Sequence, residues 1–456
     1  MRHVLLLGML GACALDGPQT RSRVDDEPPG ETCVEGGLVV RTGLDADEDK
    51  YVDDDEITGE TYLCRFESER TCEGPGKVLH GRVTLATTED EDKIDGVTCI
   101  EGDLVIASNT AFELLGTSQL HTVIGHVAIA GNPSLQTLDG LDSLRAVSGE
   151  VLIQGNDGLV DLAPLGKLVR GDLTIVSNDF MTDLHGLQEM TTAPGTITVA
   201  GNPELISLRG LDGLTTSSFT ISIRGNPQLA SIEALRGLET AGNLTIADNA
   251  DLSSIELPAL SAVDGQLAIE SNRGLRAISL PALSRVKSSL IVDTNAGIGE
   301  LALPSLRSVG RLMVRDNERL AGVRVPVLDE VTGGIELAGS PVLMLVDAGA
   351  LGFIEGFLKL DGVGLADLTG FATVYEVGRL ELAGLPRLAT FDGLGALAVI
   401  DGDFRVTDNA ELRSFDGLDG LASVEGNFVV RGSSELKKAA RAFAERIEIR
   451  GAVGID

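Results

Sequence analysis

The sequence predicts a mainly β protein whose chain winds as a parallel β-solenoid, and three observations carry that prediction. The first is a repeated pattern, Gly-x-Leu-x-Ile-x-x-Asn, seen at Gly171 to Asn178. Its Asn position falls at Asn109, Asn132, Asn156, Asn178, Asn202, Asn226, Asn249, Asn272, Asn295 and Asn317, runs in register through Ser340, Val363 and Leu385, returns at Asn409 and ends near Ser433. Successive steps are 22 to 24 residues and 11 of the 15 positions are Asn, and a period of this size held over so many copies is the mark of a solenoid. The second is alternation: in Leu173-Thr174-Ile175, period 2 marks a short strand with Leu and Ile inward and Thr outward. The third is the return segment, where Leu138, Leu141, Leu144 and Val147 recur in steps of three. One such coil cannot bury its apolar face alone, so stacking supplies the core. The return path packs on the strand layer as a turn, a short helix or a second strand. The Asn sits in the turn after the strand, where its amide bonds backbone groups that stacking would otherwise leave unpaired. A following Pro, at Pro133, Pro203 and Pro227, suits that turn and cannot continue a ladder.

Asn132-Pro133-Ser134-Leu135 through Val151-Leu152-Ile153 resembles the repeat of the receptor L domain, and more broadly the leucine-rich repeat. The resemblance covers roughly residues 72–451 and implies a right-handed solenoid of about 15 coils. It also implies extracellular recognition, without assigning any functional residue.

From the start of the chain, residues 1–12 read as a signal peptide, with Arg2 as the basic end and Val4 to Leu10 as the apolar core. Leu10-Gly11-Ala12-Cys13 resembles the lipobox of bacterial lipoproteins, which implies that Cys13 is lipidated and becomes the mature N-terminus. Residues 13–31 hold Pro18, Pro28, Pro29 and Asp25-Asp26-Glu27 with little apolar content, and read as a flexible lipid-anchored tether. With Cys13 set aside, Cys33, Cys64, Cys72 and Cys99 remain, an even number in an exported chain. Of the three connectivities, sequential pairing is expected: Cys33–Cys64 bounds a small module at 32–71, and Cys72–Cys99 staples the first coil.

Inside that module lies Asp45-Ala46-Asp47-Glu48-Asp49-Lys50-Tyr51-Val52-Asp53-Asp54-Asp55-Glu56, which resembles the twelve-residue EF-hand-type calcium loop. The resemblance implies a weak Ca²⁺ site with ligands from Asp45, Asp47, Asp49, the Tyr51 carbonyl, Asp53 and Glu56. Lys50 replaces the Gly expected at the sixth position, and no clear helix precedes Asp45, so a lone loop is expected rather than a paired EF-hand.

The solenoid then occupies 72–433. Thr174, Thr198, Ser222 and Thr245 fall at one outward register position on four consecutive coils, with Thr196 and Thr220 beside them. Strands about 4.8 Å apart turn these into an array of hydroxyls. Exposed strands favour Thr for its fit alone; the sharper reading is a face for an ordered polar ligand. Glu336, Lys359, Glu381 and Arg405 continue the Thr174 position with alternating sign, which reads as register-keeping between strands. Residues 434–456 read as a helical cap, from Leu436, Ala440, Phe443 and Ala444 at helical spacing.

The formal charge of −33 disfavours nucleic acid and anionic membrane surfaces as partners. No phosphate loop, His-Glu-x-x-His or Gly-x-Ser-x-Gly occurs, so no enzyme is expected. His121 and His126 read as surface residues, and Asp103, Glu150, Asp172, Glu270 and Asp293 as outward but mostly scattered carboxylates. The expected function is a cell-envelope lipoprotein, at the outer membrane or cell surface. Its solenoid is expected to serve binding or adhesion toward a polysaccharide or protein. A ligand-free structural spacer and a glycan-active enzyme using pairs such as Glu150/Asp172 are the alternatives.

Overall fold

The computed structural model describes residues 19–456 apart from 31, 34–35, 47–51, 65–71, 73–74, 88–89 and 108–118. The signal peptide, Cys13 and Asn109 lie outside the described residues. The chain divides into two compact units, Met1–Glu67 and Ser68–Asp456.

The first unit is an antiparallel sheet of β1 (Gln19–Glu27), β2 (Gly37–Asp45) and β3 (Ile57–Cys64), in the order β1-β2-β3. Leu38, Val39, Val40, Val52 and Leu63 are its buried apolar residues, and Cys33–Cys64 closes it with a Cα–Cα distance of 5.0 Å. β1 corrects the expectation of a flexible tether over 13–31: residues 19–27 of that stretch are a full strand. Its low apolar content hid it, because charge holds it in place. Arg21 Nε pairs with Asp45 at 3.2 Å, Arg23 donates to the Val52 carbonyl at 2.6 Å, and Arg41 bridges Asp25 (2.5 Å) and Glu60 (2.8 Å).

The second unit is a parallel β-solenoid. Each coil's strand pairs in register with the strand one coil earlier and one coil later. Leu173 faces Ile197, Ile197 faces Ile221, and Ile221 faces Leu244. All four are buried, as are Ile175, Val199, Ile223 and Ile246. Cys72–Cys99 joins the first coil at a Cα–Cα distance of 6.0 Å.

The Asn residues form a continuous buried ladder. Asn202 Nδ2 donates to the Ile175 carbonyl one coil back (3.1 Å), and its backbone N–H donates to Asn226 Oδ1 one coil on (3.1 Å). The same two bonds recur from Asn132 to Asn295 with small variations. Asn317 N–H reaches Ser340 Oγ at 3.2 Å, and Leu385 N–H reaches Asn409 Oδ1 at 2.9 Å. Between them stand Val363 and Leu385, whose side chains accept nothing. From Asn132 to Asn409 the residue before each ladder position turns left-handed: Gly at Gly201 and Gly225, but also Ser177, Asp248, Ser271, Thr294, Asp316 and Asp408, these six with φ of 52 to 58°.

The return path uses all three of its options, and spacing separates strands from turns. Where the repeat reads Leu208-Arg209-Gly210-Leu211, the inward residues are three apart and Gly210 takes φ +118°. A Cβ there would lie 1.8 Å from the Leu184 carbonyl of the previous coil, so only Gly fits. Where it reads Ile255-Glu256-Leu257, the inward residues are two apart and strands form instead. Five consecutive coils do this, at Ser254–Glu256, Ala277–Ser279, Glu300–Ala302, Gly322–Arg324 and Leu345–Asp347, and build a second parallel sheet. Short 3₁₀ turns serve at Ala163–Lys167, Leu187–Glu189, Glu233–Gly237 and Thr369–Phe371.

Near the C-terminus a helix, Ser434–Ala444, replaces the return path. Ser433 Oγ caps it by accepting the Leu436 N–H at 3.1 Å. Leu436, Ala440 and Phe443 are buried. Phe443 stacks on Phe415 (centroids 4.7 Å), and Phe415 on Phe391 (5.2 Å). After the helix, Glu448–Ile449 and Val453–Ile455 continue the ladders of the preceding coil, so the segment is a helix-bearing coil rather than a helix alone.

Candidate functional site

The outward face of the strands between Asp172 and Gln266 carries the hydroxyl array. Backbone register aligns Thr174, Thr198, Ser222 and Thr245 on neighbouring strands, and Thr220 with Asn243. Asn243 Nδ2 donates to Thr220 Oγ1 at 3.1 Å, and Asn243 Oδ1 accepts the Gln266 N–H at 2.8 Å. Asp172 Oδ1 likewise accepts the Thr196 N–H at 2.6 Å. These side chains therefore tie each coil to the next while leaving hydroxyls outward. Ser222 departs from the expected exposed row: it is only 4% exposed, because Arg224 folds over it and donates from Nε at 3.0 Å.

A third hydroxyl column was not anticipated. Thr192 bridges Thr216 and Thr216 bridges Thr240 at the corner before the strands, with the first two hydroxyls 3.4 Å apart. The signal was present, since Thr192, Thr216 and Thr240 recur every 24 residues. Attention to the strand centre hid it. Hydroxyls and amides thus line two outward strand positions and hydroxyls one corner across these coils, broken at the covered Ser222, as a grid with a spacing of about 4.8 Å between coils.

Upstream, the same edge of the strands carries Asp103, His126 and Glu150 in sequence-adjacent coils. The reading of Asp103 as outward and His126 as a surface residue is corrected: both are buried, His126 at 5% exposure. Asp103 Oδ1 accepts the His126 N–H (3.0 Å), and His126 Nδ1 accepts the Glu150 N–H (3.1 Å), so the imidazole carries its proton on Nε2 when neutral. Burial pushes the Glu150 carboxyl up; the Thr174 hydroxyl and His126 pull it down, and Asp172 adds to the rise. Glu150 and Asp172 are register partners.

Farther along, Glu336, Lys359, Glu381 and Arg405 are cross-strand neighbours. Lys359 Nζ lies 2.9 Å from Glu336, and that bond, with nearby Asp361 and Glu381, holds the ammonium above its ordinary range.

In the first unit, the ends of the acidic loop converge on Glu56. Its Oε1 accepts the Ala46 N–H at 2.5 Å and its Oε2 the Asp53 N–H at 3.1 Å. Leu44, Ala46, Asp53, Asp55 and Glu56 line an open concavity there. Asp45 is buried against Arg21. Asp47, Asp49 and Tyr51 lie outside the described residues, and among the described residues no group of three or more acidic, His or Cys side chains is placed to hold a metal. A cation entering this loop would compete with Arg21 for Asp45.

Among the described residues no helix is long and apolar enough to cross a membrane. Residues 22–64 match a family described as a domain of unknown function, DUF7151, which coincides with the three-stranded unit. A cell surface GPI-anchored protein of Arthroderma benhamiae is 36% identical over 78 residues, 17% of this chain and 20% of that protein. The match thus spans a fifth of the relative's length. The functional domain of InlJ from Listeria monocytogenes, which includes a cysteine ladder, aligns over 73% of each chain with 14% identity and a TM-score of 0.31.

Proposed function

We propose that this protein is a surface recognition protein: a β-solenoid held to the cell envelope through lipidated Cys13, whose hydroxyl grid binds an ordered polar ligand, a polysaccharide first among them. The observation that carries the reading is the grid itself, with Thr174, Thr198 and Thr245 outward in backbone register and Ser222, covered by Arg224, between the last two. A repeating ligand gains from a repeating surface, because each added coil adds the same contact without a new ordering cost. The match to a cell surface GPI-anchored protein supports the location, though it covers little of either chain.

The test is a glycan and cell-surface binding screen of the chain beside its Thr198→Lys/Thr220→Lys variant. Binding should fall at least about tenfold, which corresponds to about 1.4 kcal/mol. Stability should fall only modestly, since both threonines are half-buried on the outward face and Thr220 gives up one hydrogen bond from Asn243, worth about 1 kcal/mol. Unchanged affinity returns the hydroxyls to plain strand chemistry, and release of cleaved glycan favours the enzyme alternative.

We also infer a weak Ca²⁺ site at Asp45–Glu56. Convergence of both loop ends on the Glu56 carboxylate supports it, and Arg21 at Asp45 favours the weak end of the range, a Kd on the order of 10⁻⁴–10⁻³ M. One preparation checks both N-terminal readings. Mass spectrometry should find diacylglycerol on Cys13, and calorimetry should show Ca²⁺ heat that Glu56→Gln removes. Absence of the lipid removes the anchor; equal heat from Glu56→Gln removes the site.

A further inference from the structure

The four positions after each ladder residue form one edge of the solenoid. The third points inward, as Leu205 and Leu320 do, and the second and fourth point out, as Glu204, Ile206 and Arg319 do. This edge is distinct from the hydroxyl face, and its composition changes along the stack. In the coils of Asn178 and Asn202 it presents Phe180 (47% exposed) and Ile206 (51%) beside Asp179 and Glu204. In the coils of Asn272 and Asn317 it presents Arg273, Arg276 and Arg319, with Glu318 beside Arg319, and in that of Ser340 it presents Val342 and Met344 (54%). One half is acidic and apolar; the other is apolar with three arginines to one acid, Glu318.

These charges also differ from those elsewhere on the solenoid. On the strand face, charges pair within the chain, as Arg315 does with Asp293 (2.7 Å) and Lys359 with Glu336 (2.9 Å). On this edge Glu204, Asp251, Arg273 and Arg319 make no ion pair among the described residues. Asp179 is raised by its burial and by Glu204, so like charge stands uncompensated here.

We propose that this edge docks a second copy of the chain, with the two solenoids antiparallel about a two-fold axis between the coils of Asn249 and Asn272. Counting coils outward from that axis gives the pairing. Asp251 meets Arg273 of the other copy. The coils of Asn226 and Asn295 bring Gln228 and Ala230 against Gly297 and Gly299, where small residues permit close approach. Glu204 meets Arg319, and Phe180 meets Val342 and Met344. A two-fold axis makes each of these contacts twice, which is how a closed dimer arises from two dissimilar half-edges. The alternative with parallel solenoids sets every coil against itself, Glu204 on Glu204 and Arg319 on Arg319, and like charges at an interface oppose association. The strip is long and narrow, so a weak dimer with a Kd on the order of 10 μM is expected, in the class of small transient interfaces.

Sedimentation velocity on the full chain carrying Cys13→Ser, which keeps lipid out of the measurement, tests this over about 1–100 μM, a range that brackets that affinity. The chain should pass from monomer to dimer at about 0.15 M salt, where the long-range repulsion between two chains of charge −33 is screened. Glu204→Arg should weaken it at least about tenfold, Phe180→Ser likewise, and Glu204→Arg combined with Arg319→Glu should restore it. Glu204, Phe180 and Arg319 are exposed, so circular dichroism should show the folded chain throughout. A monomer at every concentration overturns the proposal, including one that instead binds a different protein at this edge. So does a dimer indifferent to Glu204→Arg, or one that the charge swap fails to rescue. Growth beyond dimer would show a head-to-tail contact and overturn it equally.

Discussion

Asn226→Leu should destabilise the solenoid by about 3–5 kcal/mol, more than its small change in volume would suggest. Asn226 Nδ2 donates to the Val199 carbonyl (3.0 Å) and the Arg224 carbonyl (3.1 Å), and Oδ1 accepts the Asn202 N–H (3.1 Å) and Nδ2 (3.3 Å). Leu fills nearly the same space and offers none of these. The Asn202 N–H and the Val199 carbonyl are then stranded in a region from which water is excluded. Each stranded group costs about 1–3 kcal/mol. Urea unfolding followed by circular dichroism measures the loss. A cost under about 1 kcal/mol, the scale of an ordinary surface change, would mean that the ladder is replaceable.

Phe415→Ala should cost about 3–5 kcal/mol, the range for emptying an aromatic core position. Phe415 is the hub of the C-terminal core. Its ring lies 5.2 Å from Phe391, 4.7 Å from Phe443, 5.7 Å from Phe428 and 6.3 Å from Phe404. Phe443 belongs to the helix Ser434–Ala444, so the cavity opens under the element that carries Leu436 and Ala440 inward. Because coils interact mainly with neighbours, the effect should stay local. Hydrogen exchange should accelerate in the helix and in Phe404–Arg431, with coils before about Val363 unchanged. A uniform acceleration along the chain would contradict a nearest-neighbour stack.

Much of this was legible because the physics is repetitive. Inward Leu and Ile must recur once per coil, and the ladder needs an amide at one place, so the period states the fold. The same counting placed Glu336, Lys359, Glu381 and Arg405 side by side, and the backbone pairs them so. What was hidden lacked a periodic apolar signal. β1 is held by Arg21, Arg23 and Arg41, and charge reads as solvation until partners are seen. His126 is buried because its Nδ1 serves one backbone N–H, a use that leaves no pattern in the sequence. The left-handed turn at Ser177, Asp248 and Thr294 is hidden by its varied residue type.

The missing amides at Val363 and Leu385 give the stack a seam. Ser340 and Val363 have no side-chain acceptor in the coil that follows, while Asn132–Asn317 behind them form an unbroken run. In a one-dimensional chain of coupled units, the weakest coupling sets where a boundary between folded and unfolded segments comes to rest. Here the lost amides are offset by long backbone pairing, Gly334–Ala338 on Phe357–Asp361 and Phe357–Asp361 on Arg379–Ala383, and the alternating charges Glu336, Lys359, Glu381 and Arg405 span the same joint. Charge therefore stands in for amides at this joint, and its contribution should fall with ionic strength in a way that the amide-laddered coils do not share.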